Sequence, residues 1–214
     1  QIADNCKNTI PVLMNSIAKD YIKAELFDAA LEQLNKTIKT AEGFGAADVV
    51  ADAKALIPQV LMSKAGNMLN AKNFAGAAEV YQQVVAADTT NGMAALRLGM
   101  ALGALGKNAE AENAYLLAAR NGQEKQANKQ LSNLYIKKAS AALKAKKTQE
   151  AYDFAVKSNE YLENANAYKI AASSAQKLGN NAQCIEFYEK YLEIKPNAKD
   201  AAGAVKVADV LTEK

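Results

Sequence analysis

The feature that most constrains this chain is a repeat at an offset of 47 residues. "KNTIP" (Lys7 to Pro11) returns as "KALIP" (Lys54 to Pro58), and the same offset carries Met14 onto Leu61, Ala18 onto Ala65, Tyr21 onto Met68, Phe27 onto Phe74, Ala30 onto Ala77 and Leu34 onto Tyr81. Each exchange keeps apolar for apolar or small for small, so the two stretches share one buried pattern. A unit of this length cannot bury its apolar face alone. Neighbours must stack into a continuous core, which takes three units or more.

The downstream half of the pattern recurs further along. A small residue, three others, an aromatic, then a small or apolar residue reads as Ala77–Tyr81–Val84, Ala111–Tyr115–Ala118 and Cys184–Tyr188–Tyr191. Upstream of each lies a matching helical stretch, clearest in "LGMALGALG" (Leu98 to Gly106). Apolar spacing is 3.6-residue throughout and nowhere strictly alternating. Composition agrees: half the residues are apolar, Trp is absent, there are three Pro and eleven Gly, and helix-formers and surface residues dominate.

This pattern resembles the tetratricopeptide repeat, a helix–turn–helix unit of about 34 residues ending in Pro, here Pro196 in "LEIKPNAKD". The resemblance implies an all-α fold: a right-handed α-solenoid of about five repeats making residues 1–214 a single superhelical domain. Repeats are expected near 11–44, 58–91, 92–125, 132–164 and 165–198, with 1–10 the end of a preceding or extended helix and 199–214 a C-terminal capping helix. Repeat starts at Pro11, Pro58, Gly92, Ser132 and Ala165 are spaced 47, 34, 40 and 33. The two long intervals hold "GAADVVADAKALI" and "QANKQL", which have helical composition and no loop chemistry. They read as extensions of the first helices of repeats 2 and 4. Pro58 then lies inside a long helix, removing one backbone bond and kinking it; the alternative is two helices meeting at the proline.

Expected core residues include Met14, Ile17, Ala18, Tyr21, Ala30 and Leu34 in the first repeat and Tyr168, Ala172, Ala175, Ile185, Tyr188 and Leu192 in the fifth. Ala202, Val205, Ala208 and Val210 or Leu211 form the apolar stripe of the capping helix. The fourth repeat matches least, with Ala155 where others carry Tyr or Leu and Thr148 in place of an aromatic. Closer packing or a different crossing angle is expected there.

Several function classes are disfavoured. A net charge of +3 from 26 basic and 23 acidic side chains lacks the concentrated basic stripe of a nucleic-acid binder. No run approaches the roughly 18 apolar residues of a membrane span. Histidine is absent and the two cysteines, Cys6 and Cys184, lie near opposite ends of the chain, so neither a four-ligand zinc site nor a disulfide is expected. Both thiols read as buried small apolar groups. "GFGAAD" (Gly43 to Asp48) reads as a helix stop rather than a phosphate loop. No enzyme activity and no cofactor are expected. The start at Gln1 reads as a processed or truncated N-terminus.

In the tetratricopeptide family the second, fifth, sixth, ninth, twelfth and thirteenth positions of each first helix line a concave groove for a peptide or partner helix. Here those positions hold Lys19, Lys23, Arg97, Lys137, Lys144, Lys169 and Lys177 and no Asp or Glu, where average composition would place about three acids. Asn15, Met62, Met93, Leu96, Met100 and Ile136 accompany them. The resemblance thus implies a non-enzymatic interaction module or scaffold with a basic, partly apolar groove suited to a protein partner or peptide, acidic or ending in a free carboxylate. The other reading of the lysines is a solvated helix face. The Lys–Asn, Asn, Lys–Arg series of the carboxylate-clamp subclass is not present: the first repeat has Asn15 and Lys19 in reverse order, the second offers Ser63 and Gly66, and the third has Arg97 without its Lys. Two alternatives stand beside this reading, a self-associating structural element and a regulatory segment of a larger envelope protein. "KNAEAENAYLLAARNG" and "QCIEFYEKYLEIKPNA" are similar in style to repeat proteins of the bacterial cell envelope, which implies an envelope or periplasmic setting over the cytoplasm.

Overall fold

Helix-forming composition, punctuated by short turns, produces a chain that is helical nearly throughout. The computed structural model describes residues 2–197, 199 and 201–212, with side chains described for 6, 7, 9–197, 199 and 202–207. Among the described residues there is no strand. The helices are α1 (Ile2–Lys23), α2 (Phe27–Phe44), α3 (Ala47–Asn70), α4 (Phe74–Ala87), α5 (Gly92–Ala104), α6 (Asn108–Ala118), α7 (Glu124–Lys144), α8 (Thr148–Tyr161), α9 (Ala165–Leu178), α10 (Asn181–Ile194) and α11 (Ala201–Thr212).

Two compact units divide the chain, residues 1–107 and 108–214. In the first, α1 packs on α2, α2 on α3, α3 on α4 and α4 on α5, with α1 also touching α3. In the second, α6 packs on α7, and the series continues through α8, α9 and α10 to α11, with α7 touching α9. Packing of each helix on its chain neighbours is the arrangement of an α-solenoid.

The turns show how each first helix is ended. Those joining α1 to α2, α3 to α4, α5 to α6, α7 to α8 and α9 to α10 each contain one left-handed residue: Glu25 (φ 57°), Lys72 (φ 60°), Gly106 (φ 77°), Lys146 (φ 59°) and Gly179 (φ 79°). Their spacing of 47, 34, 40 and 33 is that of the sequence repeat. The amide after each bonds five residues back, as Leu26 to Tyr21, Asn73 to Met68, Lys107 to Leu102, Lys147 to Ala142 and Asn180 to Ala175, all at 2.8–3.0 Å. This closes the last carbonyls of the first helix and redirects the chain in a few residues. Gly45 ends α2 the same way, with Ala46 bonding Ala41 at 2.9 Å, so "GFGAAD" is a helix stop.

Both long intervals are helical. α3 runs unbroken through Pro58, so the alternative of two helices meeting there does not hold. α7 begins at Glu124, after a short segment in which Asn121 and Gly122 (φ 82°) leave helical geometry and redirect the chain from α6.

The core is dominated by alanine. Ala18, Ala30, Leu34, Ala53 and Val60 cluster in the first unit, flanked by Tyr21, Phe27, Ile38, Leu56 and Ile57. In the second, Ala139, Ala155 and Ala171 meet from α7, α8 and α9. Small side chains at these crossings let the helix axes approach closely. Beside them, Ser132 and Ser158, both buried, share a hydroxyl–hydroxyl bond of 2.9 Å, and the Ser158 hydroxyl donates to the Ser132 carbonyl at 3.0 Å. Ala204 of α11 joins Ala165, Tyr168 and Tyr191, so the last helix covers α10. Ala202 and Val205, expected in the apolar stripe of this helix, are exposed instead, because the face turned to α10 is that of Ala204; the side chains of Ala208, Val210 and Leu211 lie outside the described residues.

Two further expectations about burial are corrected. Cys184 is buried, which pushes its thiol up, but Cys6 is exposed. Ile17, expected in the core, is exposed as well. Both lie on the side of α1 that has no helix packed against it among the described residues.

Candidate partner-binding surface

In the first unit, α1, α3 and α5 together form a recess of about 350 Å³ with the turn after α1. Lys23 enters from the end of α1, Met62, Ser63, Gly66, Asn67 and Asn70 from α3, and Arg97 from α5. Helical spacing explains the α3 contribution, since residues three, four and seven apart share a face. The Arg97 guanidinium is half-buried and donates to the Tyr81 hydroxyl at 3.4 Å; no carboxylate of the described residues pairs with it. Glu25 reaches the same recess from the turn and accepts from the Asn67 amide at 3.0 Å. Lys23 pairs with Asp20 at 3.3 Å on the exposed side.

In the second unit, α7 and α9 frame a recess of about 360 Å³ lined by Ile136, Ser140, Leu143, Asn166, Lys169, Ile170 and Ser173. Every one of these stands at a first-helix position named from the sequence. The lining mixes apolar Ile136, Leu143 and Ile170 with one ammonium, two hydroxyls and one amide. Lys137 lines a different and larger recess of about 530 Å³, together with Lys138, Lys147, Glu150, Phe154 and the alanines Ala141, Ala142 and Ala145.

A charge–aromatic cluster joins α6, α7 and α8. The Glu112 carboxylate accepts from the Tyr135 hydroxyl at 2.5 Å and from the Lys138 ammonium at 2.8 Å, with Lys157 at 4.0 Å. Both ammonium groups also lie over the Tyr135 ring, at 4.6 and 4.9 Å from its centre, and Tyr161 stacks on that ring. Burial pushes the Glu112 carboxyl up, but the bonds from Lys138 and Tyr135 and the nearby Lys157 outweigh it and hold the group below the usual carboxylate range. Burial, followed by the bond to Glu112, raises the Tyr135 phenol. These groups satisfy one another, so the cluster ties three helices together.

Among the residues named from the sequence, Lys23, Met62 and Arg97 therefore share one recess, and Ile136 and Lys169 another. Lys19, Met93, Met100, Lys144 and Lys177 are exposed and lie outside these three recesses, while Asn15 is buried and its side-chain oxygen has no hydrogen-bond partner. Position counting missed Glu25, because it stands in a turn and not on a first helix. Asn70 stands at the thirteenth position of its first helix, a groove position that was counted but not singled out, whereas Asn67, at the tenth, had no signal. Among the described residues no group of acids and cysteines could hold a metal ion, and no helix is long and apolar enough to cross a membrane.

No protein-family model matches the sequence, and no curated protein matches it. Among solved structures, the C-terminal part of a TPR repeat-containing protein from Cytophaga hutchinsonii superposes with a TM-score of 0.53 at 15% identity, covering 94% of this chain and 93% of its own. MamA superposes with a TM-score of 0.46 at 17% identity over 92% of this chain and 96% of that one. PilW, a type IV pilus biogenesis factor, gives 0.45 at 14% identity over 92% and 99%. Helix pairs packed in chain order, turns that recur with the period of the sequence, and the first of these superpositions lead to one conclusion: the chain has the tetratricopeptide-repeat fold.

Proposed function

We propose that this protein is a non-enzymatic interaction scaffold that holds a peptide or partner segment against the exposed faces of its first helices, with acidic groups of the partner meeting the basic side chains. The observation that carries this reading is Arg97: a half-buried guanidinium whose partner is a phenol where a carboxylate would bind more strongly, in a recess whose one carboxylate, Glu25, is engaged by the Asn67 amide and whose other polar groups, Ser63 and Asn70, are uncharged. Met62 in the same recess, and Ile136, Leu143 and Ile170 beside Lys169 in the second unit, supply apolar anchors. Charges at such a surface mainly set encounter rate and salt sensitivity, whereas the anchors set how slowly the partner leaves. An envelope or periplasmic setting belongs to the same reading and rests on the resemblance in sequence style.

The test measures association of peptides that alternate Glu with Leu or Phe, and of the corresponding Lys peptides, at low and high salt. Arg97→Glu with Lys23→Glu probes the first unit, and Lys169→Glu the second. Slower association of acidic peptides, with weakened or inverted salt dependence and an unchanged circular dichroism spectrum, supports the proposal. Equal rates for wild type and both variants would remove these recesses from partner binding.

A further inference from the structure

The turns give a common register for comparing the first helices. Counted from the left-handed residue of each turn, Glu25, Lys72, Gly106, Lys146 and Gly179, the position four residues earlier holds Tyr21, Met68, Leu102, Ala142 and Ala175. The position one residue earlier holds Ala24, Ala71, Leu105, Ala145 and Leu178. Every first helix except α7 therefore carries a large apolar side chain at one of these positions or at both. On α7 each is alanine, and Ala141 stands beside them. All three alanines line the recess of about 530 Å³, so it opens where α7 omits bulk that the other first helices carry.

The rest of the lining specifies a ligand. Phe154 of α8 sets a ring beside the methyl groups, and Asn108 of α6 adds an amide. Of the charged groups, Glu150 is paired with Lys147 at 2.9 Å, and Lys138 with Glu112, which lies outside the lining, at 2.8 Å. Lys137 is exposed and pairs with no carboxylate among the described residues. One ammonium is thus left over, which suits a single negative charge and not a chain of phosphates. Small-molecule sites have volumes of about 300–1,000 Å³, with mostly apolar walls and a few polar groups that fix orientation, and this recess has that size and that make-up. A ring suits it better than an alkyl chain, because aromatic pairs gain from edge-to-face or offset contact beyond the area they bury.

We propose that the recess between Ala141, Ala142, Ala145 and Phe154 is a binding site for a small aromatic monocarboxylate, its ring against the alanines and Phe154 and its carboxylate on Lys137. The site shares no residue with the two recesses of the scaffold function above, and its test uses none of theirs.

The probe is N-acetyl-L-phenylalanine, titrated into the full chain labelled with nitrogen-15 and followed by amide chemical shifts. Saturable shifts are expected at the end of α7 and the start of α8. N-acetyl-L-phenylalanine amide, which lacks the charge, and N-acetyl-L-alanine, which lacks the ring, should each bind about tenfold more weakly or worse. Lys137→Gln should weaken the acid by about tenfold and erase its advantage over the amide. Ala145→Leu should abolish binding by filling the recess; the position is exposed, and the chain itself carries leucine there in the third and fifth repeats, as Leu105 and Leu178. Circular dichroism establishes that both variants remain folded. Absence of saturable binding, equal affinity for acid and amide, or binding indifferent to Ala145→Leu or to Lys137→Gln would overturn the proposal. A peptide ending in phenylalanine that binds tenfold or more tightly than the free probe would assign the recess to a partner's chain terminus and overturn it equally.

Discussion

Gly66 leaves room for Arg97: a β-carbon built on the glycine would lie 3.3 Å from the guanidinium Nη1 and 3.7 Å from the Tyr81 hydroxyl. A mid-helix glycine costs about 0.5–1 kcal/mol relative to alanine, so the space has a structural cost. Gly66→Ala is expected to raise the denaturation midpoint slightly while pushing the guanidinium out of its bond to Tyr81. Acidic-peptide association should fall at the same time. A stabilised variant with undiminished association would show that the position of Arg97 in the recess is immaterial.

The Glu112 cluster predicts acid sensitivity in the second unit. Because the folded carboxyl titrates below its ordinary value, its stabilisation is present above the carboxylate range and is lost as pH falls through the folded value. Glu112→Gln should cost about 1.5–3 kcal/mol at neutral pH, the range for a hydrogen bond to a charged group. The same change should flatten the acid limb of a stability–pH profile. Urea denaturation at several pH values reads both effects, and parallel profiles for the two proteins would contradict the assignment.

At the other end of the scale, burial and then the bond to Glu163 at 2.7 Å push the Tyr168 phenol up to about 12. A phenol raised in the folded state stabilises fully below its unfolded value, about 10, and that contribution disappears as pH climbs towards the folded value. Stability should therefore fall through this alkaline window, and less so in Tyr168→Phe. Ultraviolet titration of tyrosinate alongside unfolding follows the two events in one sample.

The all-α class and the positions of the turns were legible because helical periodicity and repeat spacing are local and survive drift in residue identity. "GAADVVADAKALI" is helix from Ala47 onward, while its first two residues, Gly45 and Ala46, make the turn that ends α2. The exposure of Cys6 and Ile17 was not legible, since burial depends on what lies alongside α1 and not on its own pattern. Glu25 and Lys72 escaped notice for another reason: the left-handed turn position carries glycine in only two of the five helix pairs, so composition gave no punctuation there. The Arg97 recess was half legible. Its first-helix positions could be counted, but the turn residue that joins them could not.

Those side chains in left-handed turns make a stability prediction. A non-glycine residue in this conformation costs roughly 1–2 kcal/mol, which glycine avoids. Lys72→Gly and Lys146→Gly are each expected to stabilise the protein by about 1 kcal/mol, with gains that add, because the two turns lie in different units. Unchanged or lower midpoints would mean that the lysines contribute contacts outweighing the backbone strain.

Ala155 meets Ala139 and Ala171 with no exposed surface on any of the three. Ala155→Leu should overpack this crossing and cost about 1–3 kcal/mol; Ala111→Leu, at an equally buried position on α6, is expected to do the same. Gln176→Leu on the exposed side of α9 serves as the control, within about 0.5 kcal/mol of wild type. Differential scanning calorimetry separates the cases, and a harmless Ala155→Leu would mean the seam has slack.

The hydroxyl pair of Ser132 and Ser158 gives the α7–α8 joint a tooth. Sliding one helix along the other by a turn, about 5.4 Å, would strand both hydroxyls in an apolar crevice. The alanine contact between Ala155 and Ala171 has no directional bond to break. A slip in register between α7 and α8 therefore carries a polar penalty that the contact between Ala155 and Ala171 does not impose.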